Sequence, residues 1–182
     1  MSEVLAVYGG SFDPPHVAHT LVATYVLSAY EVDSLIVVPT GRHPFDKSLT
    51  PFEHRLRMLE IAMRNLAHVE ISTIEGQLEG PSVTLRTLEL LKQAHPASDL
   101  RLIIGSDLLA ETPNWHRFDR VAELAPPIVV ARAGHETPGE GGPALPEVSS
   151  TEVRARLREG RSTEGLLDPR VADYAKRHGL YV

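Results

Sequence analysis

The chain has no cysteine. That excludes disulfides, a thiol nucleophile and cysteine-ligated zinc, and it says little about compartment. A basic surplus is also missing. Lys and Arg number 18 against 24 Asp and Glu, a formal charge of −6. A nucleic-acid binder normally presents a basic face, so no nucleic-acid partner is expected. No long apolar run occurs, and the opening Met1-Ser2-Glu3 lacks a basic leader region. Neither a secretory signal nor a membrane span is therefore expected, and the cytoplasm is the default location. Tryptophan occurs once, at Trp115.

What is there reads as one α/β domain over residues 1–182, long enough for a full core and short for two. Short apolar runs at 4–8, 34–38, 69–72, 100–104 and 128–131 alternate with helical patterns. Thr50-Pro51-Phe52-Glu53 reads as a capping box with proline at the first helical position. Leu85, Leu88 and Leu91 recur at helical spacing. Asp168-Pro169 opens a last helix that stops at Gly179. Residues 134–146, rich in Gly, Pro and Glu, read as a flexible surface loop. Repeated strand–helix–strand units predict a Rossmann-like, doubly wound parallel sheet of five or six strands with helices on both faces. Ligands of such sheets sit beyond the carboxyl ends of the strands, near the switch point.

The most informative segment is Tyr8-Gly9-Gly10-Ser11-Phe12-Asp13-Pro14-Pro15-His16-Val17-Ala18-His19. A buried strand leads through two glycines and a tight loop into a helix. At i and i+3 of a first turn, His16 and His19 project from nearly one face. Helix-start N–H groups favour anions, and glycines let a ligand approach the backbone. These residues describe a phosphate site with two imidazole donors. Asp13 suits ordering the loop better than binding metal.

Val148-Ser149-Ser150-Thr151-Glu152-Val153-Arg154 is a second phosphate-like element. Ser149 and Glu152 fit a capping box, which puts Ser150 and Thr151 in the first turn and Arg154 one turn later. A third cluster, Gly105-Ser106-Asp107, follows a predicted strand where a nucleotide edge would lie, and Trp115 offers a flat platform beyond it.

The first segment resembles the (H/T)xGH signature of the nucleotidyltransferase superfamily in its long form GGSFDPPHxxH. The second resembles that superfamily's ISSTxxR element, with Val148 for Ile. The GxDxL…W pattern and the ending Tyr174–Tyr181 are similar to bacterial nicotinate-nucleotide adenylyltransferases. The resemblance implies transfer of AMP from ATP to nicotinate mononucleotide, with pyrophosphate released. It implies catalytic roles for His16, His19 and Arg154. It places ATP against Gly9, Gly10, Ser11, Phe12, His16, His19, Gly105, Asp107, Ser150, Thr151 and Arg154, and the acceptor against Trp115, Lys47 and Thr84. Mg²⁺ is expected to arrive with ATP, with no dedicated protein site. The expected partners are ATP and a small phosphorylated acceptor, with no nucleic acid and no membrane, and self-association is left open.

Three positions depart from the family pattern, and the last two bear on the acceptor. Ala18 stands where the family has Gly, and its methyl would either crowd the nucleotide sugar or be tolerated. Ser82-Val83-Thr84-Leu85-Arg86-Thr87 replaces SYTxDT, and Arg42-His43-Pro44-Phe45-Asp46-Lys47 replaces the PPHK loop. Arg42, His43, Lys47 and Arg86 are candidate phosphate cations there. A sibling enzyme using pantetheine phosphate, a flavin mononucleotide or a CTP donor stays open, as does a nucleotide binder without turnover.

Overall fold

The computed structural model describes residues 2–42, 48–133, 144–146 and 148–182. Five strands, β1 (Val4–Gly10), β2 (Ser34–Pro39), β3 (Val69–Ile71), β4 (Asp99–Gly105) and β5 (Pro127–Val130), form one sheet in the order β3-β2-β1-β4-β5. Every pairing is parallel. Of the five or six strands expected, five lie among the described residues.

Parallel strands buried on both faces need apolar side chains at every position, because successive residues point to opposite faces. The runs at β1 and β2 provide them. Ala6, Tyr8, Leu35 and Val37 pack on one face against Val22, Ala23 and Val26 of helix α1 (Val17–Ala29) and Leu59 and Met63 of α2 (Phe52–Met63). Leu5, Val7, Ile36 and Val38 pack on the other against Leu85, Leu88 and Leu91 of α3 (Thr84–Ala94) and Val121 of α4 (Phe118–Leu124). The leucine spacing thus marked the buried stripe of α3 correctly. A third cluster holds α5 (Ser150–Arg158) and α6 (Pro169–Arg177) against the rest, through Ala18, Met58, Val148, Val153, Leu167, Val171 and Ala175.

The caps divide. Ser149 accepts from the Glu152 amide at 3.1 Å, and Asp168 accepts from the Arg170 amide at 2.8 Å, so both expected helix starts hold. Gly179 takes φ +59° after α6, as a helix stop requires. The Thr50 box does not form. Pro51 is the cap residue of α2, and no side chain caps its amides. Thr50 instead donates its amide to Asp13 and accepts from Arg55 through its carbonyl. Of the expected loop over 134–146, residues 134–143 lie outside the described residues. Its end is not surface-like: Leu145 is buried and bridges in parallel to Arg132.

The strand order reverses at β1, whose neighbours are β2 and β4. The crevice beyond the carboxyl ends of β1 and β4 is therefore where this topology opens a ligand site. No helix among the described residues is long and apolar enough to cross a membrane.

Candidate active site

Beyond β1 the chain turns through Gly9–Pro15 into α1. A Cβ at Gly9 would meet nothing within 4 Å, so the backbone there faces open space. At Gly10 a Cβ would press on the Phe12 ring at 3.0 Å. Phe12 sits at φ +48°, a region that bulky residues rarely adopt. Its ring is 1% exposed and meets Tyr8 and His19 edge-on, at centroid distances of 5.4 and 4.9 Å. Phe12 is thus the floor beneath the histidines. Any contact it makes with a nucleotide is through its backbone.

His16 caps α1 rather than lying in its first turn, and His19 is the third helical residue. Their rings stand 3.8 Å apart and tilted by 31°. The His16 amide donates to His19 Nδ1 at 3.0 Å. That bond fixes the tautomer: Nε2 of His19 carries the ring N–H. His16 Nδ1 is buried and turned toward the His19 amide at the helix start, without a hydrogen bond of good geometry. Burial, aided by the Arg132 charge, pushes the His16 pKa down to about 4. Burial, then His16, then Arg132 hold His19 well below the usual imidazole range. Both rings are neutral at pH 7. Arriving phosphate charge would favour their protonation.

The amides at the start of α1 are less available than a bare helix start suggests. Val17 donates to the Leu166 carbonyl at 2.9 Å, and His19 donates to the His16 carbonyl at 2.9 Å. Anion binding here therefore leans on side chains. The α5 element supplies them. Ser150 donates its hydroxyl to the Pro14 carbonyl at 3.1 Å. Arg154 donates to the Asp13 carbonyl at 2.6 Å and to the Thr151 hydroxyl at 3.1 Å. Two motifs about 140 residues apart in sequence thus meet at one loop.

Ala18 is 1% exposed and packs in the third cluster with Met58, Val148 and Val153. Its methyl faces the α5–α6 layer. Of the two outcomes left open for this methyl, its packing favours the one in which it is tolerated.

At the end of β4, Asp107 pairs with Arg132 at 3.3 Å, and its Oδ1 is buried without a partner. A Cβ at Gly105 would lie 2.3 Å from that oxygen, so only glycine lets Asp107 fold back there. Ser106 accepts from the Arg132 amide at 3.0 Å. Arg132 was not visible as a site residue in the sequence, which offers no motif around it.

Arg55 likewise carries no motif in the sequence, where it stands as one residue of a helical pattern. It is 1% exposed and donates to the carbonyls of Thr50, Ser11, Thr40 and Gly41 at 2.7–3.3 Å. One planar guanidinium thereby ties the loop after β1 to the loop after β2. Its pKa is lowered by burial and supported mainly by the nearby Asp13 charge.

Beside the glycines lies a cavity of about 520 Å³, walled by Gly9, Val38, Thr84, Leu88 and Trp115 among others. That volume suits a small flat ligand. Trp115 stands edge-on to Phe118 at 5.8 Å, which fixes the indole against the wall. Glu75 braces the far side, accepting from the Thr87 hydroxyl at 2.7 Å and the Gly41 amide at 3.1 Å. The acceptor candidates Trp115 and Thr84 both line this cavity. Arg86 does not. It is exposed and donates to the Glu79 carbonyl at 3.0 Å. Arg42 accepts from the Ser82 amide through its carbonyl. His43 and Lys47 lie outside the described residues.

Residues 7–156 match the cytidylyltransferase-like family. A protein of Anaeromyxobacter dehalogenans named "Probable nicotinate-nucleotide adenylyltransferase" is 47% identical over 97% of this chain and 96% of its own. The chain belongs to the nicotinate-nucleotide adenylyltransferase family. A member from Myxococcus xanthus is 41% identical over 97% of this chain and 94% of its own. Among solved structures, Plasmodium falciparum nicotinic acid mononucleotide adenylyltransferase complexed with NaAD superposes with a TM-score of 0.84. It shares 25% identity and covers 98% of this chain and 97% of its own.

Proposed function

We propose that this protein transfers AMP from ATP to nicotinate mononucleotide, giving nicotinate adenine dinucleotide and pyrophosphate for NAD synthesis in the cytoplasm. The observation that carries the reading is the meeting of His16, His19, Ser150 and Arg154 around one loop, next to a cavity walled by Trp115.

The acceptor's 5′-phosphate is already an anionic nucleophile. Its oxygen attacks the α-phosphorus of ATP in line, the bond to the β-phosphate oxygen breaks, and pyrophosphate leaves. No general base and no covalent intermediate are required. Catalysis consists of positioning and of stabilising charge on the transferring group and the leaving group. His19 donates from Nε2 to the transferring phosphate. His16, stacked beside it, donates to the same phosphates. Ser150 and Arg154, with Thr151, hold the outer phosphates by exchanging their loop carbonyls for charged oxygens. The backbone at Gly9, Gly10 and Ser11 lies under the triphosphate, and the region of Gly105 and Asp107 faces the nucleoside.

Both carboxylate oxygens of Asp13 are engaged, by Tyr181 and Thr50. Asp13 is therefore held as a loop-ordering group, and Mg²⁺ carried in on ATP would neutralise phosphate charge and keep much of its water.

The acceptor ring lies in the cavity on the indole of Trp115, with Thr84 also in its lining. A pyridine ring on such a face gains roughly 0.5–1.5 kcal/mol beyond its area burial. As the sole tryptophan, Trp115 reports its own occupancy. Nicotinate mononucleotide should shift its emission, and Trp115→Ala should raise KM for the acceptor while leaving KM for ATP nearly unchanged. An effect confined to ATP would move the acceptor out of this cavity.

A further inference from the structure

We propose that Tyr181 is a positioning residue for the transfer step: by holding the Asp13 side chain it sets the loop that carries His16. The inference rests on the adenylyltransferase reading above and extends it to a residue with no part in the phosphate motifs.

Asp13 is a buried carboxylate, 3% exposed, with no cation bonded to it among the described residues. Its partners are neutral. The Tyr181 hydroxyl donates to Oδ1 at 2.6 Å, across 168 residues of sequence, and the Thr50 amide donates to Oδ2 at 3.1 Å. The nearby Arg55 lends charge, yet spends its N–H groups on carbonyls. Burial, reinforced by Asp13, raises the pKa of the Tyr181 phenol, which therefore stays a donor throughout the working range.

Strained backbone lies at Tyr181 itself and at the residue before Asp13. Phe12, next to Asp13, has φ +48°, and Tyr181 has φ +66°. Non-glycine residues keep such angles only where their surroundings over-determine them. Arg55 and α5 grip the loop through its backbone, at the carbonyls of Ser11, Asp13 and Pro14. Tyr181 and Thr50 grip it through the Asp13 side chain. The same short stretch ends at His16. A reaction without a general base depends on placement, and a shift of about 1 Å from a remote change can cost on the order of 10²-fold in rate.

The test is steady-state kinetics of ATP and nicotinate mononucleotide for wild type, Tyr181→Phe, Asp13→Asn and the double variant, with folding checked by circular dichroism. Phenylalanine keeps the ring's packing and removes only the hydroxyl. Tyr181→Phe should lower kcat by about 10- to 100-fold, with KM for the acceptor changed less than about threefold. The double variant should be no slower than the worse single, because both act through one contact. Wild-type kcat in Tyr181→Phe, with or without a lowered melting temperature, overturns the proposal and leaves the functional reading standing. Multiplicative losses in the double variant overturn the route through Asp13. A wild-type protein that does not turn over nicotinate mononucleotide overturns the functional reading, and this proposal with it.

Discussion

Replacing Ala18 by glycine restores the residue that the family carries between the two histidines, and it separates two accounts of that position. The methyl group is buried with Met58, Val148 and Val153, at 1% exposure. Removing a buried methyl loses about 0.8 kcal/mol of transfer free energy. Glycine in a helix costs up to about 1 kcal/mol more, and less in the first turn, where residue 18 stands. The sum is about 1–2 kcal/mol. For a chain of this length each kcal/mol moves the melting temperature by roughly 2–4 °C, so Ala18→Gly should melt about 2–8 °C lower. Because the methyl points into the α5–α6 layer, kcat/KM for ATP should stay within about twofold of wild type when assayed well below melting. Calorimetry and initial rates on the same preparation decide it. A rise in kcat/KM for ATP, with no loss of stability, would refute the packing argument and return the methyl to the nucleotide.

His19→Ala should lower kcat by on the order of 10²-fold or more, the range for losing one preorganised donor to transition-state charge, in a protein that still folds. Arg154→Ala should raise KM for ATP or lower kcat, by about 1.5–3 kcal/mol in all, with acceptor affinity nearly unchanged; a loss confined to the acceptor would reverse the two subsites. Acidification should reveal His16. Its folded pKa of about 4 lies below the ordinary 6.5, so the unfolded chain binds the proton more readily between those values. Stability is therefore full above about pH 6.5 and falls as the pH drops toward 4, by about 2 kcal/mol between pH 7 and 5 from this group alone. Urea midpoints should show that slope in wild type and a shallower one in His16→Asn; equal slopes would mean that the ring is not buried neutral.

The order of strands and helices was legible because parallel strands and their covering helices leave strong periodic traces, as at Leu5–Tyr8 and Leu85–Leu91. Both phosphate-like motifs were legible because each is local: a cap, a turn and a charged or imidazole side chain within a dozen residues. What escaped was contact between distant segments. Arg55 reads as one more charged residue on a helix, and nothing in its neighbourhood shows that four carbonyls from two other loops converge on it. Arg132 and Asp107 pair across 25 residues without a motif. For Ala18 the sequence left crowding and tolerance equally open, and only the packing of its methyl with Met58, Val148 and Val153 separates them. The Thr50 cap failed for a related reason. Asp13 and Arg55 take up the amide and carbonyl of Thr50, and a tertiary network prevails over a local signature.

The central claim is AMP transfer onto a pyridine mononucleotide, and one measurement addresses it: kcat/KM for pyrophosphate release from ATP across a panel of acceptor phosphates, with the dinucleotide product identified by mass. Nicotinate mononucleotide should be preferred, ahead of its nicotinamide form, with pantetheine phosphate and flavin mononucleotide essentially inert. Turnover of either of those two with none of nicotinate mononucleotide would contradict the account.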